Sequence, residues 1–208
     1  HRHAQQEIQV RCSMGYLLET TDNDCYPNST VLINKLGITD EQALKDNESF
    51  ITSTVAAMLI RNPLKADFDF GDYKAIHYEL FHELYEWAGT VRTISLSKTS
   101  TVFTAPDKIE DLGIRIFSRL KKTNYFVGLS KLDFVSEISD LYNSINMLHP
   151  FREGNGRTER VFFMQLIRNA DYNIDYSKFN SEYLMISSIQ AASGVMDNLT
   201  SFFENNIR

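Results

Sequence analysis

Apolar residues recur at three- and four-residue spacing through Leu132, Val135, Ile138, Leu141, Tyr142, Ile145 and Leu148, which predicts an amphipathic helix with one buried face. The helix starts at Ser130 and stops at His149, because a proline at 150 biases the residue before it away from the helical region. The apolar run Val161-Phe-Phe-Met-Gln-Leu-Ile167 predicts a buried helix whose first turn begins near Arg157. Upstream, Thr39-Asp-Glu-Gln42 reads as a capping box opening a helix to about residue 60. Asp69-Phe-Gly-Asp72 introduces the next, patterned by Tyr73, Ile76, Leu80, Phe81 and Leu84 and ending near Gly89. Residues 91–104 are rich in Thr, Ser, Val and Ile and read as two short strands. Pro106 opens a helix toward Lys122, and two more follow Asp175, at 181–192 and 195–206. The chain is therefore mostly α-helical with one short β-hairpin.

Composition narrows the class without fixing it. A chain of 208 residues with 43% hydrophobic residues fits one domain with a substantial core. Residues 1–13 are polar and unpatterned and read as a non-native or disordered extension, with Met14 as the natural start and 14–208 as the single domain. A net charge of −6 argues against a broad nucleic-acid-binding surface. Cys12 and Cys25 lack metal-type spacing, so neither a disulfide scaffold nor a zinc site is indicated. No apolar run approaches the ~18 residues of a membrane span, and the N-terminus lacks the apolar core of a signal peptide, so a cytoplasmic protein is expected.

The chemistry concentrates in His149-Pro-Phe-Arg-Glu-Gly-Asn-Gly-Arg-Thr-Glu-Arg160, the joint between two predicted helices. Gly154 and Gly156 allow positive φ, so successive backbone N–H groups can face one concavity and bind an anion, and the following helix N-terminus adds its own free N–H groups. Arg157 and Arg160, three apart, should project from the same side and grip neighbouring phosphates. Glu153 is a hard oxygen ligand suited to magnesium that also binds phosphate oxygens. Competing chemistries fail on the residues. His149 and Glu153 are four apart, but Pro150 and the glycines forbid the helix that would make them joint metal ligands. His82-Glu83-Leu84-Tyr85-Glu86 lacks the second histidine of a zinc protease motif, and neither a P-loop nor a Gly-x-Ser-x-Gly elbow occurs. His77 and His82 lie on an apolar-patterned helix, where packing or hydrogen bonding is their expected role.

This stretch resembles the Fic family, whose motif H-P-F-x-(D/E)-G-N-(G/K)-R-x-x-R is matched at every defined position. Residues 76–92 resemble the family's upstream helix, and Ile94-Ser-Leu-Ser-Lys98 with Phe103 resembles the hairpin called the flap. Tyr26-Pro27 with Val31-Leu32-Ile33-Asn34-Lys35-Leu36-Gly37-Ile38 resembles the lead-in of short bacterial members. The resemblance implies a Fic-type helical bundle and transfer of AMP from MgATP to a hydroxyl side chain of another protein. His149 would be the general base and Glu153 the magnesium ligand. The Gly154, Asn155 and Gly156 backbone, with the Asn155 side chain, would cradle the α- and β-phosphates. Arg157 would reach the β-phosphate region and Arg160 the γ-phosphate. The flap residues Ile94, Ser95, Leu96, Ser97, Lys98 and Phe103 would dock an extended target segment by strand addition to a free edge.

Doc-type members, which phosphorylate instead, resemble H-P-F-x-x-A-N-K-R, and Gly154 and Gly156 stand here where those have alanine and lysine. Phosphate transfer and a non-catalytic Fic-fold binding module are the alternatives. Short Fic proteins resemble toxins of toxin–antitoxin pairs, with the ATPase subunits of DNA gyrase and topoisomerase IV as the targets this implies; a translocated effector is the other role. Many Fic proteins are inhibited by a helix resembling (S/T)-x-x-x-E-(G/N), whose glutamate pairs with the second motif arginine. Thr200-Ser-Phe-Phe-Glu204-Asn205 matches that pattern, but Phe202 and Phe203 beside Leu199 look like a packing face. The expected inhibitor is therefore a separate small antitoxin whose glutamate reaches Arg160.

Overall fold

A computed structural model of the chain describes residues 10–11, 16–18, 24–63, 67–98, 101–174 and 180–208. Its helices are α1 (Glu41–Arg61), α2 (Phe70–Phe81), α3 (Ile109–Lys122), α4 (Lys131–Leu148), α5 (Asn155–Asn169), α6 (Ser181–Ala192) and α7 (Asp197–Asn206). The adjacent pair α4 and α5 forms the centre. Helices α1 and α2 pack on α5, while α3, α6 and α7 pack on α4. The stripe on α4 is buried as its spacing predicts, except at its start: Leu132 is 76% exposed and Phe134 takes the inward position instead. Aromatic rings fill the layer beneath the motif. Tyr73 stacks on Phe151 at 5.6 Å and meets Phe117 and Phe162 at 5.4 and 5.3 Å. Burying such rings supplies most of the hydrophobic stabilisation per residue.

Local caps explain where the helices begin. The Ser130 hydroxyl accepts from the Asp133 N–H at 3.3 Å and starts α4. Asp69 and Asp72 close the capping box of α2 from both sides, at 2.8 and 3.2 Å. Helix α1 is capped by Asp40, not Thr39: the Ala43 N–H reaches the Asp40 carboxylate at 2.8 Å. Helix α2 ends at Phe81, well short of Gly89; beyond it the chain runs in turns, with the Leu84 and Tyr85 amides both bonded to the Phe81 carbonyl at 2.9 Å. Pro106 opens a 3-10 turn, Pro106–Lys108, that runs into α3, and α7 begins at Asp197. Helix α5 begins at Asn155, ahead of the expected Arg157, because Gly154 itself makes the turn.

The expected hairpin is present as β3 (Leu96–Lys98) and β4 (Thr101–Val102), with Ser97 opposite Val102. It is not alone. Two further strands, β1 (Val10–Arg11) and β2 (Tyr16–Leu18), extend it to an antiparallel sheet of order β1-β2-β3-β4. Tyr16 lies opposite Lys98, Leu17 opposite Ser97 and Leu18 opposite Leu96. The free edge expected on β3 is thus already paired on both sides. Val10–Arg11 belongs to the stretch read as an extension; the remainder of 1–13 lies outside the described residues, as does Asp175. Among the described residues no helix is long and apolar enough to cross a membrane.

Candidate active site

Proline at 150 ends α4, and the backbone bends at once: His149 has φ 43 in the left-handed region, a conformation that costs a residue with a Cβ about 1–2 kcal/mol. Surrounding bonds hold it there. The His149 N–H donates to the Ile145 carbonyl at 3.1 Å, and its own carbonyl accepts from Arg92 Nε at 2.8 Å. Arg92 is buried and also donates to the carbonyls of Ile94 and Thr104, both at 2.6 Å, so one guanidinium ties the base of the hairpin to the end of α4. Sequence reasoning gave Arg92 no role; the available signal was a lone arginine after Val91 in the stretch read as strands.

The His149 ring stacks on Phe103 at 3.8 Å, and Nδ1 lies 3.3 Å from the Asn146 carbonyl. A carbonyl only accepts, so the neutral ring carries its proton on Nδ1 and its lone pair on Nε2. Burial, followed by the charges of Arg92 and Lys98, lowers its pKa to about 3, against the raising effect of the Asn146 carbonyl. The imidazole is therefore a neutral base across the physiological range.

The loop after it is built from backbone bonds. Gly154 has φ +82, and a Cβ there would sit 2.2 Å from the Phe81 ring, so both conformation and space require glycine. The Asn155 side chain is engaged within the loop. Its amide donates to the Phe151 carbonyl at 2.8 Å and its oxygen accepts the Phe151 N–H at 2.9 Å, stapling the loop shut. Gly156 lies in the first helical turn of α5, without positive φ, and faces open space. At the start of α5 the amides of Asn155, Gly156 and Arg157 have no intrahelical acceptor and are available to an anion. His77 has the bonding role expected of it. Its Nδ1 accepts the Gly89 N–H at 2.8 Å, so Nε2–H donates to the Glu153 carbonyl at 3.0 Å. Burial lowers its pKa to about 3, keeping this ring neutral.

A cavity of about 600 Å³ opens between these parts. Helix α4 and the residue after it contribute Tyr142, Asn146 and His149, and α5 contributes Gly156, Glu159 and Arg160. The hairpin adds Lys98, Thr101 and Phe103, while Leu184, Met185 and Ile189 of α6 form an apolar wall. Of the other flap residues, Leu96 is buried in the core, and Ile94, Ser95 and Ser97 are half-buried beside it. Glu159 was not picked out from sequence. It is buried, and desolvation raises its pKa to about 8, so it is mainly protonated at neutral pH.

The structure separates two residues from this group. Arg157 and Arg160 do not share a side: Arg160 lines the cavity, whereas Arg157 leans over Phe81 at 4.7 Å and reaches Glu48 of α1 at 2.5 Å. Glu153 likewise lines a smaller recess with Glu48 and Tyr85. One of its carboxylate oxygens accepts from the Gly154 N–H at 2.8 Å and from Arg157 at 3.4 Å. Its other oxygen takes no hydrogen bond from any described residue, and burial raises its pKa. Among the described residues no three His, Cys, Asp or Glu side chains gather around a point. A single hard carboxylate oxygen fits a magnesium ion that is held mainly by phosphate oxygens and water, and does not fit a protein-caged ion.

The chain is similar to known proteins over most of its length. The sequence model of the Fic/DOC family matches residues 67–167. The chain is 36% identical over 171 residues to the probable protein adenylyltransferase y4lH of Sinorhizobium fredii, covering 82% of this chain and 88% of that protein. It is 34% identical over 187 residues to protein adenylyltransferase VbhT of Bartonella schoenbuchensis, covering 89% of this chain but spanning only 39% of VbhT. Among solved structures, BepC of Bartonella tribocorum, a VirB-translocated effector with bound AMPPNP, superposes with a TM-score of 0.83 at 26% identity, covering 89% of this chain and 96% of that one.

Proposed function

The chain belongs to the Fic/DOC family, and from that premise we propose that it transfers AMP from MgATP to a hydroxyl side chain of another protein. The observation that carries this reading is the neutral His149, with its lone pair on Nε2, in one cavity with Gly156 and Arg160. The target hydroxyl gives its proton to Nε2 as its oxygen attacks the α-phosphorus. The bond from that phosphorus to the bridging oxygen breaks, and pyrophosphate leaves. Arg160 neutralises the γ-phosphate with its fork of donors, and the first-turn amides of α5 bind the phosphates before it. Such transfer needs positioning and charge neutralisation more than covalent chemistry from the protein. Glu153 would hold magnesium, and the ion would supply charge neutralisation at the phosphate oxygens. The Asn155 side chain contributes by closing the loop, not by touching phosphate.

The hairpin is the docking site for the target. Strand addition registers a side chain through main-chain bonds without reading its sequence closely. Because β2 covers one side of β3, an arriving strand either displaces β2 or uses the outer side of β4. The physiological role is that of a bacterial toxin acting on the ATPase subunits of DNA gyrase and topoisomerase IV, restrained by an antitoxin whose glutamate competes with phosphate for Arg160. The similarity to BepC supports the alternative role, a translocated effector. The test is incubation of the protein with labelled MgATP and a bacterial lysate, followed by mass spectrometry of the labelled band. An AMP adduct supports the proposal, a phosphate adduct supports the Doc-like reaction, and no adduct on any protein supports a binding module.

A further inference from the structure

Arg157 is shared between two carboxylates, and the sharing is unequal. Its Nη2 lies 2.5 Å from Glu48 and 3.4 Å from Glu153. Its Nη1 reaches the Thr52 hydroxyl, also on α1, at 3.4 Å, and its plane lies over Phe81. Glu48 is almost fully buried, and its second oxygen accepts from the Tyr85 hydroxyl, so its orientation is fixed from both ends. It lies outside the residues that the family model matches.

Two carboxylates face one guanidinium, and the fork lies against the nearer one, Glu48, leaving Glu153 the weaker hold. Glu153 lies just ahead of α5 and is already within 3.4 Å of the Arg157 guanidinium. Without Glu48, the guanidinium has one carboxylate left to satisfy. A planar fork closing on Glu153 would take both of its oxygens, and a carboxylate so occupied is a poor ligand for a hard cation. We propose that Glu48 is a positioning residue that draws Arg157 off Glu153 and so keeps Glu153 available to the magnesium ion accompanying ATP. This rests on reading the site as a MgATP site.

The experiment measures binding, not turnover: a fluorescent, non-hydrolysable ATP analogue is titrated at increasing magnesium, with thermal melting to check folding. In Glu48→Gln the magnesium concentration that gives half-maximal enhancement of binding rises by roughly 10-fold or more, the usual scale for loss of a partner that orients a metal ligand. Metal-free binding of the analogue stays within about twofold, since the group lost touches no phosphate. Tyr85→Phe, which loosens Glu48 without removing its charge, moves the midpoint in the same direction by less, and serves if Glu48→Gln does not fold. In an Arg157→Met background the Glu48→Gln step has no further effect, because the competitor for Glu153 is gone. An unchanged midpoint in folded Glu48→Gln overturns the proposal, as does an equal rise with Arg157 absent. A wild-type protein whose nucleotide binding ignores magnesium would instead overturn the MgATP reading on which the proposal rests.

Discussion

His149 combines a strained backbone with a neutral, buried ring, and each property has a measurable consequence. Its side chain ends a helix at a cavity, so His149→Ala removes the base without emptying the core. AMP transfer falls by about 10²–10⁴-fold, while nucleotide binding and the melting temperature stay close to wild type. Transfer at the wild-type rate would remove His149 from its role. The pH profile follows from the direction of the pKa shift. The folded-state value, about 3, lies below the ordinary 6.5, so the basic form survives as pH falls through 6.5 and is lost only near 3. The acid limb of kcat/KM therefore lies below about pH 5 in this reading, and a limb centred near 6.5 would contradict it. For stability the same shift acts against the fold: between about 6.5 and 3 the unfolded histidine binds a proton that the folded one refuses, so stability declines as pH drops through that window. The position of His149 was legible because Pro150 dictates it locally. The direction of Arg157 was not, since its partner Glu48 sits in a distant helix and no local pattern marks the pair.

At the level of elements, the α4–loop–α5 joint depends on two glycines in different ways. Gly154→Ala would push a methyl group into the Phe81 ring and hold it at positive φ. Overpacking and backbone strain together cost about 2–5 kcal/mol, read as a lower midpoint in denaturant unfolding; a loss under about 1 kcal/mol would mean that Phe81 yields easily. Gly156→Ala meets nothing within 4 Å and lies in a helix, so it leaves stability unchanged or raises it by up to ~1 kcal/mol. Its effect should appear in nucleotide affinity instead, because Gly156 lines the cavity. The sequence distinguished neither glycine from the other, as both fit a generic anion-binding turn. Helix starts were readable from caps at Asp69 and Ser130, whose partners lie three residues away. The end of α2 and the pairing of β2 with β3 were not, because each is set by contacts remote in the chain or by a turn without a glycine or proline signal.

At the scale of the whole molecule, hydrophobic periodicity marked the helices but not their packing around α4 and α5, and control of the activity turns on what the chain itself brings to the cavity. Glu204 is exposed on α7, while Phe202 and Phe203 are buried in the core, as the sequence suggested. Glu204→Gly should leave modification of self and target unchanged in the absence of any partner; a large rise would show that the chain restrains itself through α7. The N-terminal strands lead to a different expectation. Deleting the residues before Asp24 should speed target modification and hasten amide hydrogen exchange across Leu96–Lys98, and an unchanged rate would mean that targets use the β4 side. A tethered strand competes with an effective concentration on the order of millimolar, far above that of most cellular proteins. Engagement of a target at this edge is then a swap of nearly equivalent hydrogen bonds, and its apparent affinity falls in proportion to the fraction of molecules whose own strand has let go. Under the proposed docking at this edge, selectivity would come from the difference between two strands, one of them carried by the chain, so a change at residues 16–18 would retune which proteins are accepted without altering any residue proposed to meet the nucleotide.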